Sequence, residues 1–307
     1  MDEIQKKLVS PSKASHEDIL GRIISYTCIA AIIILVVSIL YFITSRGIAT
    51  FTNDHVNLWR FLSGTDWNPG SLDAKGNPQV GALPMIVTSF SVTVLAALVA
   101  TPFAIAVALF MTDIAPKTGA RFLQPVIELL VGIPSVVYGF IGLTVIVPAI
   151  RQLFGGTGSG ILAGTIVLFV MVLPTITSLS VDALKAVPGY FRSASLALGA
   201  TRFQTIYKVL LRAAMPRLLT AIIFGMARAF GEALAVQMVI GNAALMPHNL
   251  ITPTSTLTSQ LTTNIGNTIM GTLPNNALWS LALILLLMSL VFNLLIRFIG
   301  KRGTINS

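Results

Sequence analysis

Arg228 and Glu232 are opposite charges inside an otherwise apolar stretch, and they lie four residues apart. In a helix that spacing places two side chains one turn apart on the same face. Arg228 follows Arg217 by eleven residues. At about 1.5 Å per residue it lies roughly 16 Å along a helix, near the middle of a hydrocarbon layer about 30 Å thick. An arginine at that depth costs at least about 2.5 kcal/mol, which favours a functional role over a structural ion pair with Glu232.

The chemistry that this pair can perform is recognition of an oxyanion. A guanidinium group offers a planar fork that matches two oxygens of an oxyanion, and it is more weakly hydrated than an ammonium group. Arg228 is therefore the predicted anion ligand. Glu232 could accept a hydrogen bond from a protonated oxyanion and repel a fully ionised one, or it could pair with Arg228 when no anion is bound.

A second group of candidates surrounds Pro134, which interrupts an apolar stretch at a similar depth. Proline lacks an N–H group and breaks or kinks a helix. If Ser135 begins a new half-helix, its free backbone amides can seat an anion, whereas a simple packing kink is an equal alternative. Glu128 lies nearer the membrane surface, and we expect it to act as a gate or a structural partner.

The region 182–216 is predicted to form two short helices and not a flexible loop. Pro188 can open the first helix, and Gly199 is placed to end it in a left-handed conformation. Thr201 and Gln204 have the spacing of a capping box for the second helix, which Pro216 is expected to close. A hairpin lying on anionic lipid is an alternative, and a DNA-binding role is disfavoured because both ends are tethered to membrane helices.

Six apolar stretches are long enough to cross a membrane, which predicts an all-α, multi-pass membrane protein. The first is 23–45, and the others are about 83–111, 122–150, 160–181, 218–240 and 278–298. Placing both termini in the cytoplasm puts 15 Lys and Arg residues on the inner side and 4 on the outer side. The positive-inside rule therefore predicts cytoplasmic termini.

The predicted divisions of the chain follow from these spans. They are a cytoplasmic N-terminal segment (1–22), the first transmembrane helix (23–45), an extracytoplasmic loop (46–82), a core of five further helices (83–300) that contains the hairpin 182–216, and a cytoplasmic tail (301–307).

The amino-acid composition excludes several other classes of protein. The 307 residues are 54% hydrophobic and 10% charged, well below the charge content of about 25% in soluble domains. The net charge of +9 is spread thinly, so no nucleic-acid partner is expected. A single cysteine and three scattered histidines give no metal site, and no phosphate-binding loop of the Gly-Lys-Ser/Thr type occurs. We therefore expect no cofactor bound by this chain and no catalytic residues of its own.

The hairpin carries a motif that resembles the EAA loop of ABC-importer permeases. That loop has Glu-Ala-Ala, three residues, Gly, nine residues and then Ile-x-Leu-Pro. The run from Ser193 to Gly199 and the later Val209 to Arg212 keep this spacing, with departures at Ser193, Ser195 and Arg212. The resemblance implies a type I importer permease fold and contacts with an ATPase. The implied coupling residues are Ala194, Ser195, Leu198, Gly199, Ala200, Thr201, Phe203 and Leu211.

Further motifs are similar to those of phosphate-specific importer permeases. They are ELLVGIPSVVYG at 128–139, Leu173-Pro174, and GMARAFGEALAV at 225–236. The segments beginning at Asp66 and Gly81 favour the PstC type over its PstA sister. In this family an Arg and a Glu occupy the positions of Arg228 and Glu232.

The resemblance implies a complete machine around this chain. It would pair with a PstA-like permease in a bacterial or archaeal plasma membrane, among membrane lipids. Two cytoplasmic ATPase subunits would bind ATP and Mg²⁺, and an extracytoplasmic phosphate-binding protein would deliver the anion. The alternatives are a sulfate or molybdate importer and, from another class, a secondary anion transporter that works alone.

Overall fold

The computed structural model describes residues 13–73 and 76–302, and it is mainly helical. Within these residues, six helices are long and apolar enough to cross a membrane. They are Glu17–Thr52, Leu83–Ile114, Ser135–Phe154, Ile161–Lys185, Arg202–Phe230 and Leu273–Phe298. The prediction of six membrane-spanning helices is confirmed. Most of the predicted N-terminal segment (1–12) and of the tail (303–307) lies outside the described residues.

The first helix, α1 (Lys13–Thr52), is longer than the predicted span 23–45 and continues into the predicted loop. Most of its length is exposed in this single chain, whereas its last turns pack against the final helix, α13 (Leu273–Arg302). Ser280 donates a hydrogen bond to the carbonyl oxygen of Gly47 at 2.7 Å. A Cβ atom at Gly47 would lie 2.7 Å from the Cβ of Leu283, so this close approach requires glycine.

Part of the loop after α1 forms regular secondary structure. It contains α2 (Leu58–Ser63) and a two-stranded antiparallel hairpin of β1 (Trp67–Leu72) and β2 (Pro78–Val80). Phe61 is buried beneath them, with Trp67 packed against its cluster. The fold is thus not purely helical, although the prediction of an all-α membrane bundle holds for the spans.

Two helices form the centre of the bundle. They are α3 (Leu83–Leu109), which continues into a π-helical turn (Phe110–Ile114), and α7 (Ile161–Lys185). The core of this region includes Ala96, Ala100 and Ala104, each fully buried. In lipid the hydrophobic effect does not drive helices together, so their association depends on close packing. Small residues spaced four apart allow that close approach.

The predicted third span, 122–150, is two separate pieces. The first is α4 (Thr118–Gly132). The chain then breaks at Ile133 and Pro134 and continues through α5 (Ser135–Ile141), a π-helical turn (Gly142–Ile146) and α6 (Val147–Phe154). The break at Pro134 is confirmed, and it separates a short peripheral helix from the spanning one.

The hairpin contains α8 (Gly189–Ala197) and α9 (Arg202–Gln204). A π-helical turn (Thr205–Leu210) joins α9 to α10 (Leu211–Phe230). The prediction that Pro216 ends the second helix is wrong, because Pro216 lies inside α10. Within membranes, π-helical turns and Ser or Thr side chains satisfy the backbone groups that a proline frees. One turn later, the Thr220 hydroxyl donates to the Pro216 carbonyl oxygen at 3.0 Å.

Two short helices complete the fold: α11 (Leu234–Ile240) and α12 (Leu257–Asn264), which ends in a 3-10 turn (Ile265–Asn267). We call the end of the bundle with α8 and α9 the hairpin end. The opposite end, with β1, β2 and the connection from α11 to α12, is the loop end.

Candidate functional site

The predicted fifth span, 218–240, is broken near its middle, next to the predicted anion ligands. Helix α10 ends at Phe230 and α11 begins at Leu234, so the predicted continuous helix 218–240 is wrong. Glu232 lies in the break. Its side-chain Oε1 accepts from the backbone N of Ala235 at 3.3 Å, and its carbonyl oxygen accepts from the Thr258 hydroxyl at 2.9 Å. Both contacts replace bonds that a continuous helix would make.

Arg228 lies in the last turn of α10 and reaches across to α7. Its Nη1 donates a hydrogen bond to the hydroxyl of Thr175, a buried residue beside Pro174. The guanidinium group remains exposed in this single chain. The protein thus fixes one nitrogen of the fork and leaves others available to an anion.

Arg228 and Glu232 do not form the ion pair that was one of the predicted alternatives. Among the described residues the ion pairs are Arg22 with Asp18, Arg60 with Asp73, and Arg192 with Asp113. The expectation that Arg228 and Glu232 share one helical face fails because α10 ends between them.

Glu232 borders a small void lined by hydroxyl groups. Ser89 and Thr93 from α3 and Thr256 and Thr258 from the start of α12 line it together with Glu232. The void is about 10 Å³, which is enough for about one water and too little for an oxyanion. In this conformation an anion held by Arg228 therefore lies outside that void.

Ser135 begins a new helix after Pro134, as predicted. Ser135 is half-buried at the first position of α5. Tyr138 spans the break, since its hydroxyl donates to the Leu130 carbonyl oxygen at 2.8 Å. Glu128 is exposed on α4 and accepts from Gln124 Nε2 at 2.9 Å.

The turn of the hairpin has the geometry that its sequence predicts. Gly199 has φ +81°, and the amides of Gly199 and Ala200 donate to the carbonyl oxygens of Leu196 and Ser195, which is a Schellman motif. Thr201 and Gln204 form the predicted capping box. Both predictions are confirmed.

The predicted coupling residues divide into exposed and buried groups. Leu198 is 89% exposed and Phe203 is 75% exposed, which is unusual for large apolar side chains. Ser195 is buried and shares a hydrogen bond of 2.9 Å with the Thr205 hydroxyl, which fixes α8 against the second helix. Leu211 packs at the base, Ala200 is half-buried, and Ala194, Gly199 and Thr201 are exposed.

Sequence reasoning missed the contact that attaches the hairpin to the bundle. Arg192 on α8 forms an ion pair with Asp113, in the π-helical turn after α3. The Asp113 side chain is only 4% exposed, and its other oxygen accepts from the Thr112 hydroxyl at 2.6 Å. A cavity of about 460 Å³ lies between this turn and the hairpin. The sequence feature that could have indicated this contact is a single acidic residue, Asp113, at the end of an apolar span. The connection 182–216, which is rich in Lys and Arg, supplies the positive charge.

Taken together, the six spans, the break in the predicted fifth span and the capped hairpin describe a multi-pass membrane protein with an ordered helical hairpin at one end. The family model "Binding-protein-dependent transport system inner membrane component" matches residues 100–304, and the chain belongs to this family. It is therefore the permease subunit of an ABC importer, a multi-pass protein of the plasma membrane.

Individual relatives indicate which members of this family the chain resembles. The chain is 52% identical over 301 residues to the probable ABC transporter permease protein YqgH of Bacillus subtilis (strain 168), covering 97% of this chain and 96% of that one. It is 32% identical over 251 residues to the phosphate transport system permease protein PstC of Pasteurella multocida (strain Pm70), covering 75% and 76%. The resemblance to phosphate permeases of the PstC type is confirmed.

Solved structures confirm the type I importer permease fold. A chain of the MetNI methionine ABC transporter, in an inward-facing conformation, aligns with a TM-score of 0.56 and 19% identity. The alignment covers 73% of this chain and 98% of that one. At this identity the likeness shows the fold alone.

Proposed function

We propose that this chain is the PstC-like half of an ATP-driven phosphate importer and that Arg228 binds the transported anion. The observation that carries the proposal is that Arg228, beside the break in the predicted span 218–240, has no carboxylate partner among residues 13–73 and 76–302. A charge at this depth needs a counter-charge. A dianion held by the open side of the guanidinium fork supplies one.

Glu232 is proposed as the group that distinguishes phosphate from sulfate. Near neutral pH phosphate keeps a proton, whereas sulfate does not. One oxygen of the Glu232 carboxylate caps α11, which leaves the other able to accept from a P–OH group that moves past Arg228. Its negative charge would repel a fully ionised anion. Ser135 and Glu128 are proposed to line the same route, at the break in the third span.

The proposed assembly follows from the family. A PstA-like permease completes the pathway, two cytoplasmic ATPase subunits bind ATP and Mg²⁺, and a phosphate-binding protein delivers the substrate outside. The hairpin from Ala194 to Leu211 docks on the ATPase, and both termini lie in the cytoplasm. The 32% identity to a phosphate permease along three quarters of the chain supports this assignment over other anions.

The first test measures uptake of radioactive phosphate by cells in which this chain, expressed with its partner subunits, is the only high-affinity route. Arg228→Gln should reduce uptake to background while the complex still assembles, because the charge that offsets phosphate desolvation is lost. Arg228→Lys should recover only part of the rate, since a point charge cannot replace a fork.

The matched control is Arg121→Gln, which removes one positive charge from an exposed site on α4 and should leave uptake unchanged. Normal uptake by assembled Arg228→Gln complexes would contradict the proposal. Uptake of sulfate or molybdate in place of phosphate by the unmodified complex would support those alternatives.

A further inference from the structure

A polar cavity of about 340 Å³ lies at the loop end, between β1, α12 and α13. Its polar lining consists of amide and hydroxyl side chains: Asn68, Asn242, Gln260, Thr263, Asn264 and Thr268. Among the described residues that line it, none is charged. The cavity therefore offers many hydrogen-bonding groups without a fixed charge.

Gln260 provides an unsatisfied donor in this cavity. The residue is only 7% exposed, and its Oε1 accepts from the Ser255 hydroxyl at 3.2 Å. Within the described part of the chain, its Nε2 donates to no protein acceptor. Nε2 is accessible from the cavity, so a water or a ligand bound there is its natural acceptor.

Two residues at the rim add a donor and an acceptor. Thr263 Oγ1 accepts from Gln237 Nε2 at 3.0 Å, which leaves the hydroxyl proton for another partner. Asn242 Nδ2 donates to the Gln237 carbonyl oxygen at 2.9 Å, which leaves its own Oδ1 as an acceptor. A lining with both donors and acceptors matches an oxyanion that has both bare and protonated oxygens.

The cavity is connected to the break in the fifth span through α12. Thr258 on this helix donates to the Glu232 carbonyl oxygen, and Thr262, one turn later, donates to Gln237 Oε1 at 2.9 Å. Gln237 belongs to α11, which begins directly after the break. The cavity and Glu232 therefore contact the same two short helices.

We propose that this cavity is a low-affinity site for a protonated tetrahedral oxyanion, in which the anion pauses between delivery at the loop end and binding by Arg228. The inference rests on the proposed function for the identity of the anion. Transport requires sites that are favourable enough to be entered and weak enough to be left. Neutral donors satisfy that requirement, and the volume accommodates an anion that keeps several waters of about 30 Å³ each.

The site can be tested on the purified complex in detergent, where both ends are accessible. In a Cys28→Ser background, Thr263→Cys places a thiol at the rim, and an anionic thiosulfonate reagent reports its accessibility. Phosphate at about ten times its Kd should slow labelling about tenfold. Sulfate and chloride at the same ionic strength control for screening and should slow it much less.

Three further variants show whether the protection arises in this cavity. Asn267→Cys lies one turn after Thr263, is exposed and does not line the cavity, so its labelling should be the same in all three salts. Gln260→Glu, which keeps the shape of the side chain, should remove phosphate protection of Thr263→Cys by repelling the anion. Gln260→Leu should do the same by removing the donor.

The outcomes of this experiment distinguish a failure of the proposed site from a failure of the proposed function. Equal labelling rates of Thr263→Cys in all three salts would overturn the site, whatever uptake measurements show. Protection that survives in both Gln260 variants would also overturn it. Protection by sulfate without protection by phosphate would overturn a site for a protonated oxyanion and would also contradict phosphate as the substrate.

Discussion

The turn between α8 and α9 and the break between α10 and α11 both interrupt a helix for a few residues, but they are held in different ways. Every bond of the first lies within residues 194–205: the Schellman motif at Gly199, the capping box of Thr201, and the Ser195–Thr205 hydrogen bond. The second depends on distant partners. Thr258 binds the Glu232 carbonyl oxygen from 26 residues away, and Thr175 holds Arg228 from 53 residues away.

This difference matches the roles proposed for the two regions. A hairpin that docks on a separate subunit, as proposed, should keep its shape when the bundle moves, and bonds within twelve residues favour that. A break that carries an anion ligand, as proposed, should respond when neighbouring helices shift, and its bonds to α7 and α12 couple it to those helices. The first region is thus held by local bonds and the second by distant partners.

The largest predicted effect concerns the ion pair between the hairpin and the π-helical turn after α3. Arg192→Ala leaves the buried Asp113 carboxylate without its cation, and we expect a loss of about 3 kcal/mol, at the lower end for a broken buried pair because Arg192 is half-exposed. Thermal unfolding and ATPase co-purification of the complex measure this. Asp113→Asn, which removes the buried charge, should cost less.

A double variant tests whether the ion pair itself is responsible. Asp113→Asn with Arg192→Ala should be more stable than Arg192→Ala alone, and the coupling energy between the two changes should be at least about 1 kcal/mol. The control is Asp18→Asn, which breaks the exposed Arg22–Asp18 pair and should have no measurable effect. Strict additivity of Asp113→Asn and Arg192→Ala would show that the hairpin is not attached through this bond.

A medium effect is expected from Gly199→Val at the tip of the hairpin. No atom lies within 4 Å of a Cβ placed there, so the cost arises only from the left-handed backbone and is about 1–2 kcal/mol. Membrane insertion should persist while ATPase association and phosphate uptake fall. Pull-down of the ATPase with this chain is the measurement.

Gly189→Val is the matched control, because Gly189 also has open space around it but has no positive φ. Gly199→Asn should lie between glycine and valine, since asparagine tolerates the left-handed region. If Gly199→Val and Gly189→Val reduce ATPase association equally, the special conformation of Gly199 is not what docking requires.

The same contrast explains how far the sequence alone could predict the structure. Gly199, Thr201 and Gln204 were predictable because a cap is specified by residues that are neighbours in the chain. The break at Pro134 was predictable because proline carries its own signal. The membrane spans were predictable because apolar length is a local property.

Other features depended on packing that no local pattern records. Ala229 to Ala235 reads as uninterrupted helix, and only Thr258 and the Glu232 cap show why it breaks. Pro216 carries the signal of a helix end, yet it lies inside α10, in the part of the helix that continues from the π-helical turn. Arg228 could be predicted as a ligand candidate from its depth, but its anchor Thr175 required the fold.

Glu232→Gln should have the smallest effect on assembly and the most specific effect on discrimination between anions. The amide oxygen of glutamine can still accept from the Ala235 backbone N, so the break should persist and the complex should assemble with less than about 1 kcal/mol lost. Glu232→Ala, which removes the cap, is the control for a purely structural role.

In Glu232→Gln the negative charge no longer repels a fully ionised anion. Sulfate should therefore gain as a competitor of radioactive phosphate uptake, whereas arsenate, which is protonated like phosphate, should compete as before. Poor assembly of Glu232→Gln would instead mean that Arg228 depends on this carboxylate, contrary to the bond that Arg228 makes with Thr175. Normal assembly with unchanged exclusion of sulfate would assign the discrimination to the binding protein, because the break would then position Arg228 without distinguishing between anions.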